Sequence, residues 1–200
     1  MKKSSLMALV VTMSVATSAL ALSIGDKAPK TDAKMKNVDG QELSIASMAG
    51  TKGTLVIFSC NHCPFVKAWE SRISEIGNTY RDKGIGVIAI NSNDPNAYPE
   101  DGYEQMQKRA EDRGFKFPYV VDATSEVAKA FGASHTPEAF LFDKEGKLVY
   151  HGAIDDNSKD ANQVASPYLK DALNALLAGS QIATKETKAI GCGIKFRGKA

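Results

Sequence analysis

Cysteine is scarce in this chain, at three residues in 200, which is too few for a small scaffold stapled by disulfides. The odd count leaves at least one thiol outside any internal pair. Histidine is equally scarce, with only His62, His135 and His151, and Cys192 is the single cysteine beyond Cys60 and Cys63. A structural zinc site would therefore lack a second ligand pair. Charge of one sign is missing too. The formal net charge is +2, and removing Lys2 and Lys3 brings it to zero, which leaves no bulk attraction for nucleic acid or an anionic membrane. There is no internal repeat and no low-complexity tract, and the one long apolar run is Leu6 to Leu22.

That run follows the basic start Met1-Lys2-Lys3 and ends in Ala19-Leu20-Ala21, a small-x-small cleavage pattern. Residues 1–21 therefore read as a secretory signal peptide. The competing reading, an uncleaved anchor, is weakened by the Ser and Thr in the run and by a length barely enough to span. Cleavage would leave roughly 179 residues, enough for one domain with its own core. It would carry the protein across the inner membrane to an oxidising compartment, the periplasm, with no stable membrane insertion afterwards.

What is present is Phe58-Ser59-Cys60-Asn61-His62-Cys63-Pro64-Phe65. The short apolar run Leu55-Val56-Ile57-Phe58 reads as a buried strand of a mostly parallel sheet. After Cys63, the residues Phe65, Val66, Trp69, Ile73 and Ile76 recur at helical spacing, and Pro64 suits a first helical turn. A cysteine at such a junction meets unpaired backbone N–H groups and the positive end of the helix dipole, both of which favour a thiolate. The expected chemistry is thiol–disulfide exchange, with Cys60 attacking a partner disulfide and Cys63 resolving the mixed disulfide. His62, directly before Cys63, is placed to favour the Cys60 thiolate; the plainer reading is an exposed loop histidine.

The remaining chain alternates. Val38 to Ile45 reads as a hairpin turning at Asp39-Gly40. Strand 54–59 leads to helix 64–83, strand 86–91, helix 100–113, strand 117–122 and a short helix 125–131. A hairpin over 139–142 and 148–152 turns at Glu145-Gly146, and a last helix spans 167–178. This order predicts an α/β fold with a central mixed sheet flanked by helices and an N-terminal hairpin extension. Residues 22–178 form the predicted domain, and 179–200 a polar, Lys-rich extension expected to dock loosely. Trp69 and Tyr80 read as core and surface packing rather than a ligand stripe, and Asp155-Asp156-Asn157 as turn chemistry rather than a cation site.

The motif, together with Asn91-Ser92-Asn93-Asp94, Tyr98-Pro99-Glu100-Asp101, Phe117-Pro118-Tyr119, Val127 to Gly132, Phe140 to Asp143, Tyr150-His151-Gly152 and Gly191-Cys192-Gly193-Ile194-Lys195, resembles the thioredoxin-fold redoxin (alkyl hydroperoxide reductase/thiol-specific antioxidant) superfamily. The likeness is to its peroxiredoxin-like branch with a Cys-Asn-His-Cys-Pro motif. It implies a thioredoxin-like fold, no cofactor, and protein disulfide or dithiol substrates served with a redox partner. It also implies that Pro137 is a cis proline facing the dithiol and that Thr136 and Pro137 position the substrate. In the branch the residue before Thr136 is often cysteine; here it is His135.

Three departures bear on mechanism. Thioredoxins place a buried acid where this chain has Thr54, and a Trp where it has Ser59. Peroxiredoxins need Thr-x-x-Cys, and neither Ile57 before Cys60 nor Cys60 before Cys63 supplies the hydroxyl, which argues against efficient peroxidase activity. The rival reading is copper handling: Sco-type chaperones share the fold, and Cys60, Cys63 and His135 would form a similar S₂N set. Cys192 has two readings, a second resolving thiol on the tail or a free, semi-buried cysteine.

Overall fold

The computed structural model describes residues 22–198, so the leader expected over residues 1–21 lies outside the described residues. Among those described, no helix is long and apolar enough to cross a membrane. The chain is organised by β3 (Gly53–Phe58), whose six residues are all buried. It pairs parallel with β4 (Ile85–Asn91), Leu55 opposite Val87, and antiparallel with β7 (Glu138–Asp143), Thr54 opposite Phe142. With β1 (Met35–Asn37), β2 (Glu42–Leu43), β5 (Tyr119–Val121) and β8 (Leu148–Gly152) they form a seven-stranded sheet of order β2-β1-β5-β4-β3-β7-β8. The predicted N-terminal hairpin is β1–β2. It joins the sheet by pairing antiparallel with β5.

Side chains alternate across a strand, so β3 feeds two separate cores. Leu55 and Ile57 pack with Trp69, Ile73 and Tyr80 of α1 (Pro64–Arg81), Met106 of α2 (Tyr103–Asp112) and Leu169 and Leu173 of α4 (Tyr168–Ala178). Val56 and Phe58 pack on the other face with Ile88, Ile90, Phe140 and Phe131 of α3 (Glu126–Phe131). The result is the expected mixed sheet flanked by helices.

Two segments differ from expectation. The predicted helix 100–113 is broken: Pro99–Asp101 is a single 3₁₀ turn, and α2 begins only after Gly102, which is extended at φ −65°, ψ 155°. The break turns Asp101 inward, where it is buried. The tail, expected to dock loosely, is bound, with Ile182 buried in the first core, Ile194 in the second, and its backbone paired. The amide of His151 donates to Lys185 O (2.9 Å) and that of Thr187 to His151 O (3.0 Å). Further on, β9 (Cys192–Gly193) pairs antiparallel with the short strand β6 (His135–Thr136). Backbone pairing has no hydrophobic signature, so a polar, Lys-rich sequence gave no sign of it.

Candidate active site

β3 and α1 deliver the Cys60–Cys63 loop to one end of the sheet. The Ser59 amide still donates to Ile90 O (2.9 Å), extending the β3–β4 ladder by one residue. Cys63 is the N-cap of α1, with Pro64 in the first turn where its missing N–H costs nothing. Both thiols are free and buried. Opposite them stands Thr136, joined to Pro137 by a cis peptide bond. The Cys60 sulfur is hydrogen-bonded to Thr136 Oγ1 (3.1 Å), and the Cys63 sulfur lies 3.2 Å from Thr136 O, to which it donates when protonated.

The two thiols are coupled, so that the proton of one favours an anion on the other. A hydrogen bond from Cys60 lowers Cys63 to about 4 against the opposing effect of burial, helped by the Cys192 thiol and the Val66 N–H. Cys60 is raised, first by holding the proton for Cys63, then by burial and by the Asp101 carboxylate. The sequence places the favoured thiolate at Cys60; there burial and the Asp101 carboxylate oppose an anion, whereas the hydrogen bond from Cys60 favours one on Cys63. Cys60 has the Asp101 carboxylate within 4.8 Å, while Cys63 sits at the N-cap position of α1, where the positive end of the helix dipole favours an anion.

His62 is a half-buried member of a network rather than an exposed loop residue. Its Nδ1 lies 2.6 Å from Asp101 Oδ2, and its ring stacks on Tyr98 at 3.8 Å between centroids. Asp101 also accepts from the Asn61 amide (2.6 Å), the His62 amide (3.2 Å) and Asn93 Nδ2 (2.9 Å). One atom from each of Cys60, His62 and Asp101 lies within 4.8 Å of the others, the one such potential ligand group among the described residues. His135 stays outside it, its Nδ1 hydrogen-bonded to Ser134 Oγ (2.8 Å). Thus Cys60, Cys63, His62, Thr136 and Pro137 come together, while the alternative copper set is not gathered.

Sequence reasoning missed Asp101 and a second buried acid, Glu70. The guanidinium of Arg109 grips Glu70 with both oxygens at 3.0 and 3.1 Å and reaches Asn61 O (3.3 Å), bracing the loop from behind. Asp101 belongs to Tyr98-Pro99-Glu100-Asp101, a stretch noticed for its resemblance and given no role. Only the break before α2 reveals that it points inward.

Residues 24–151 match the model of the AhpC/TSA family. The chain belongs to the AhpC/TSA family. Among its curated relatives, the thiol-disulfide oxidoreductase ResA of Geobacillus thermodenitrificans is 28% identical over 132 residues, which span 66% of this chain and 70% of the relative. Among solved structures, an uncharacterized conserved protein from Geobacillus kaustophilus is 40% identical with a TM-score of 0.81, covering 89% of this chain and 94% of its own. A thioredoxin-like protein solved in its oxidised form, at 19% identity and a TM-score of 0.60 over 79% of this chain and 97% of its own, establishes the thioredoxin-like fold alone. This AhpC/TSA member thus has the fold and superfamily that its motifs imply.

Proposed function

We propose that the protein is an exported thiol–disulfide oxidoreductase in which Cys60 and Cys63 form the redox couple, acting on protein or small disulfides. The observation that carries this reading is the seating of both sulfurs on one residue, Thr136. The relatives named as thiol-disulfide oxidoreductases support it, and the leader pattern of residues 1–21 supports export. In the forward exchange Cys60 gives up its proton toward the His62–Asp101 pair and attacks one sulfur of the substrate disulfide. A mixed disulfide forms and the first substrate thiolate leaves. The Cys63 thiolate then attacks Cys60 Sγ, forming Cys60–Cys63 and releasing the second substrate thiolate. The same steps run backwards when the protein donates a disulfide. His62 and Asp101 supply the base that Cys60 needs, and Thr136 and Pro137 hold the substrate chain against the sulfurs.

The test is the equilibrium of the couple against glutathione, with Cys60→Ser as control. A potential near about −120 mV marks a protein that introduces disulfides, and one near about −270 mV marks a reductant needing an electron donor. If no Cys60–Cys63 disulfide forms across that range, the reading is wrong.

A further inference from the structure

The C-terminal segment brings a third sulfur to the dithiol. In the β6–β9 ladder Cys192 lies opposite Thr136, the residue on which both active thiols rest. Cys192 packs against the cluster of Cys60, Cys63 and Val66, yet it is only partly buried. The approach is close enough to need glycine next door: a Cβ on Gly191 would fall 2.2 Å from Thr136 O. Beyond Cys192 the segment is fixed by the amide of Ile194 to Ser134 O (2.9 Å), that of Lys195 to Asn93 Oδ1 (2.8 Å) and that of Arg197 to Ser125 Oγ (2.9 Å). Burial and the neighbouring Cys63 push the Cys192 thiol up, to about 11, against the smaller opposing effects of Lys195 and the Phe65 N–H. The 18-residue α1 presents its positive end to Cys63, the sulfur that the exchange would attack.

We propose that Cys192 is a third exchanging thiol, which moves the disulfide from Cys60–Cys63 to Cys63–Cys192. This inference rests on the dithiol reading above and deepens it. Cys192 releases its proton to solvent and its thiolate attacks Cys63 Sγ. The Cys63–Cys192 bond forms, the Cys60–Cys63 bond breaks, and Cys60 leaves as a thiolate that takes up a proton. One disulfide is present before and after, so no external oxidant enters the step. The oxidising equivalent is then held on the docked tail while Cys60 is again a free thiol.

The experiment maps disulfides in the full-length protein equilibrated with oxidised and reduced glutathione, after free thiols are blocked by alkylation. In Cys60→Ser, where glutathione can cap Cys63 or Cys192, the other thiol should displace it and Cys63–Cys192 should be the main oxidised form. Gly191→Val, which leaves every thiol in place but pushes β9 off Thr136, should lower the Cys63–Cys192 yield by about tenfold or more through loss of effective concentration. Glutathione remaining on either cysteine beside an alkylated partner would overturn the proposal, as would a Gly191→Val yield equal to the parent's. The Cys192→Ser protein separates the two readings. If it forms Cys60–Cys63 while the other variants fail as described, only the tail exchange is lost; if it forms none, the dithiol reading falls and the exchange falls with it.

Discussion

At the scale of single residues, the immediate neighbours of each cysteine decide its proton. Cys63 sits at the N-cap position of α1, while Cys60, three residues earlier, faces Asp101 and is bonded to Thr136 Oγ1. A hydrogen bond to a charged group is worth roughly 1.5–3 kcal/mol, or about one to two pH units. The thiolate absorbance of the reduced protein should therefore amount to one thiolate near neutral pH and be lost only as pH falls through about 4. The sign follows from a lowered value: Cys63 is ionised above it and protonated below. Removing the largest cause with Cys60→Ala should move the midpoint upward by about one to two units. An ordinary thiol midpoint in the parent protein would refute the coupled-thiol description. Asp101 shows the other side of this chemistry: its carboxylate opposes a Cys60 thiolate, yet it orients His62, so one residue both holds the proton on Cys60 and supplies the route by which it leaves.

Among the elements, β6 is the one with least reason of its own to exist. It has two residues and is clamped by a neighbour rather than by packing. Glu138 Oε2 accepts the amides of Ser134 (2.8 Å) and His135 (2.9 Å), and Oε1 meets His151 Nε2 (2.6 Å). Burial pushes the Glu138 carboxyl up, but His151 and the two amides outweigh it and hold the group below its ordinary value. A depressed carboxylate contributes stability that is present above the unfolded value and is lost as pH falls through the folded one. Glu138→Gln should thus cost about 1–3 kcal/mol near neutral pH, and the difference should shrink in acid; urea unfolding at both pH values measures it, and an equal cost at both would remove the charge from the explanation. Clamps of this kind explain what was legible in the sequence. The strand Gly53–Phe58, the helix Pro64–Arg81 and the turns at Gly40 and Gly146 announce themselves through burial pattern and local geometry. The inward Asp101, the Glu138–His151 pair and the β9 strap depend on partners far away in sequence, and polar residues carry no periodicity that points to a partner.

For the whole molecule, the consequence of β3 feeding both faces of the sheet is mechanical unity. The two cores share no side chain, yet Leu55 and Ile57 of one alternate with Val56 and Phe58 of the other on the same six residues. The single tryptophan, Trp69, lies fully buried in the first core, its Nε1–H donating to Asp155 Oδ1 (2.7 Å), where Asp155 also holds Arg72. Phe131 lies in the second, edge-on to Phe58 and Phe140 with centroids 5.3 Å away in each case. Phe131→Ala should leave a cavity costing about 3–5 kcal/mol. If β3 couples the faces, tryptophan fluorescence, which reports only the unmutated side, should lose its midpoint by the same amount as the far-ultraviolet circular dichroism. A fluorescence transition left in place while the dichroism shifts would mean that the faces melt separately. Coincident transitions would mean that a lesion on the α3 face is felt at α1, the helix whose N-terminus holds Cys63, because the two faces have one strand in common.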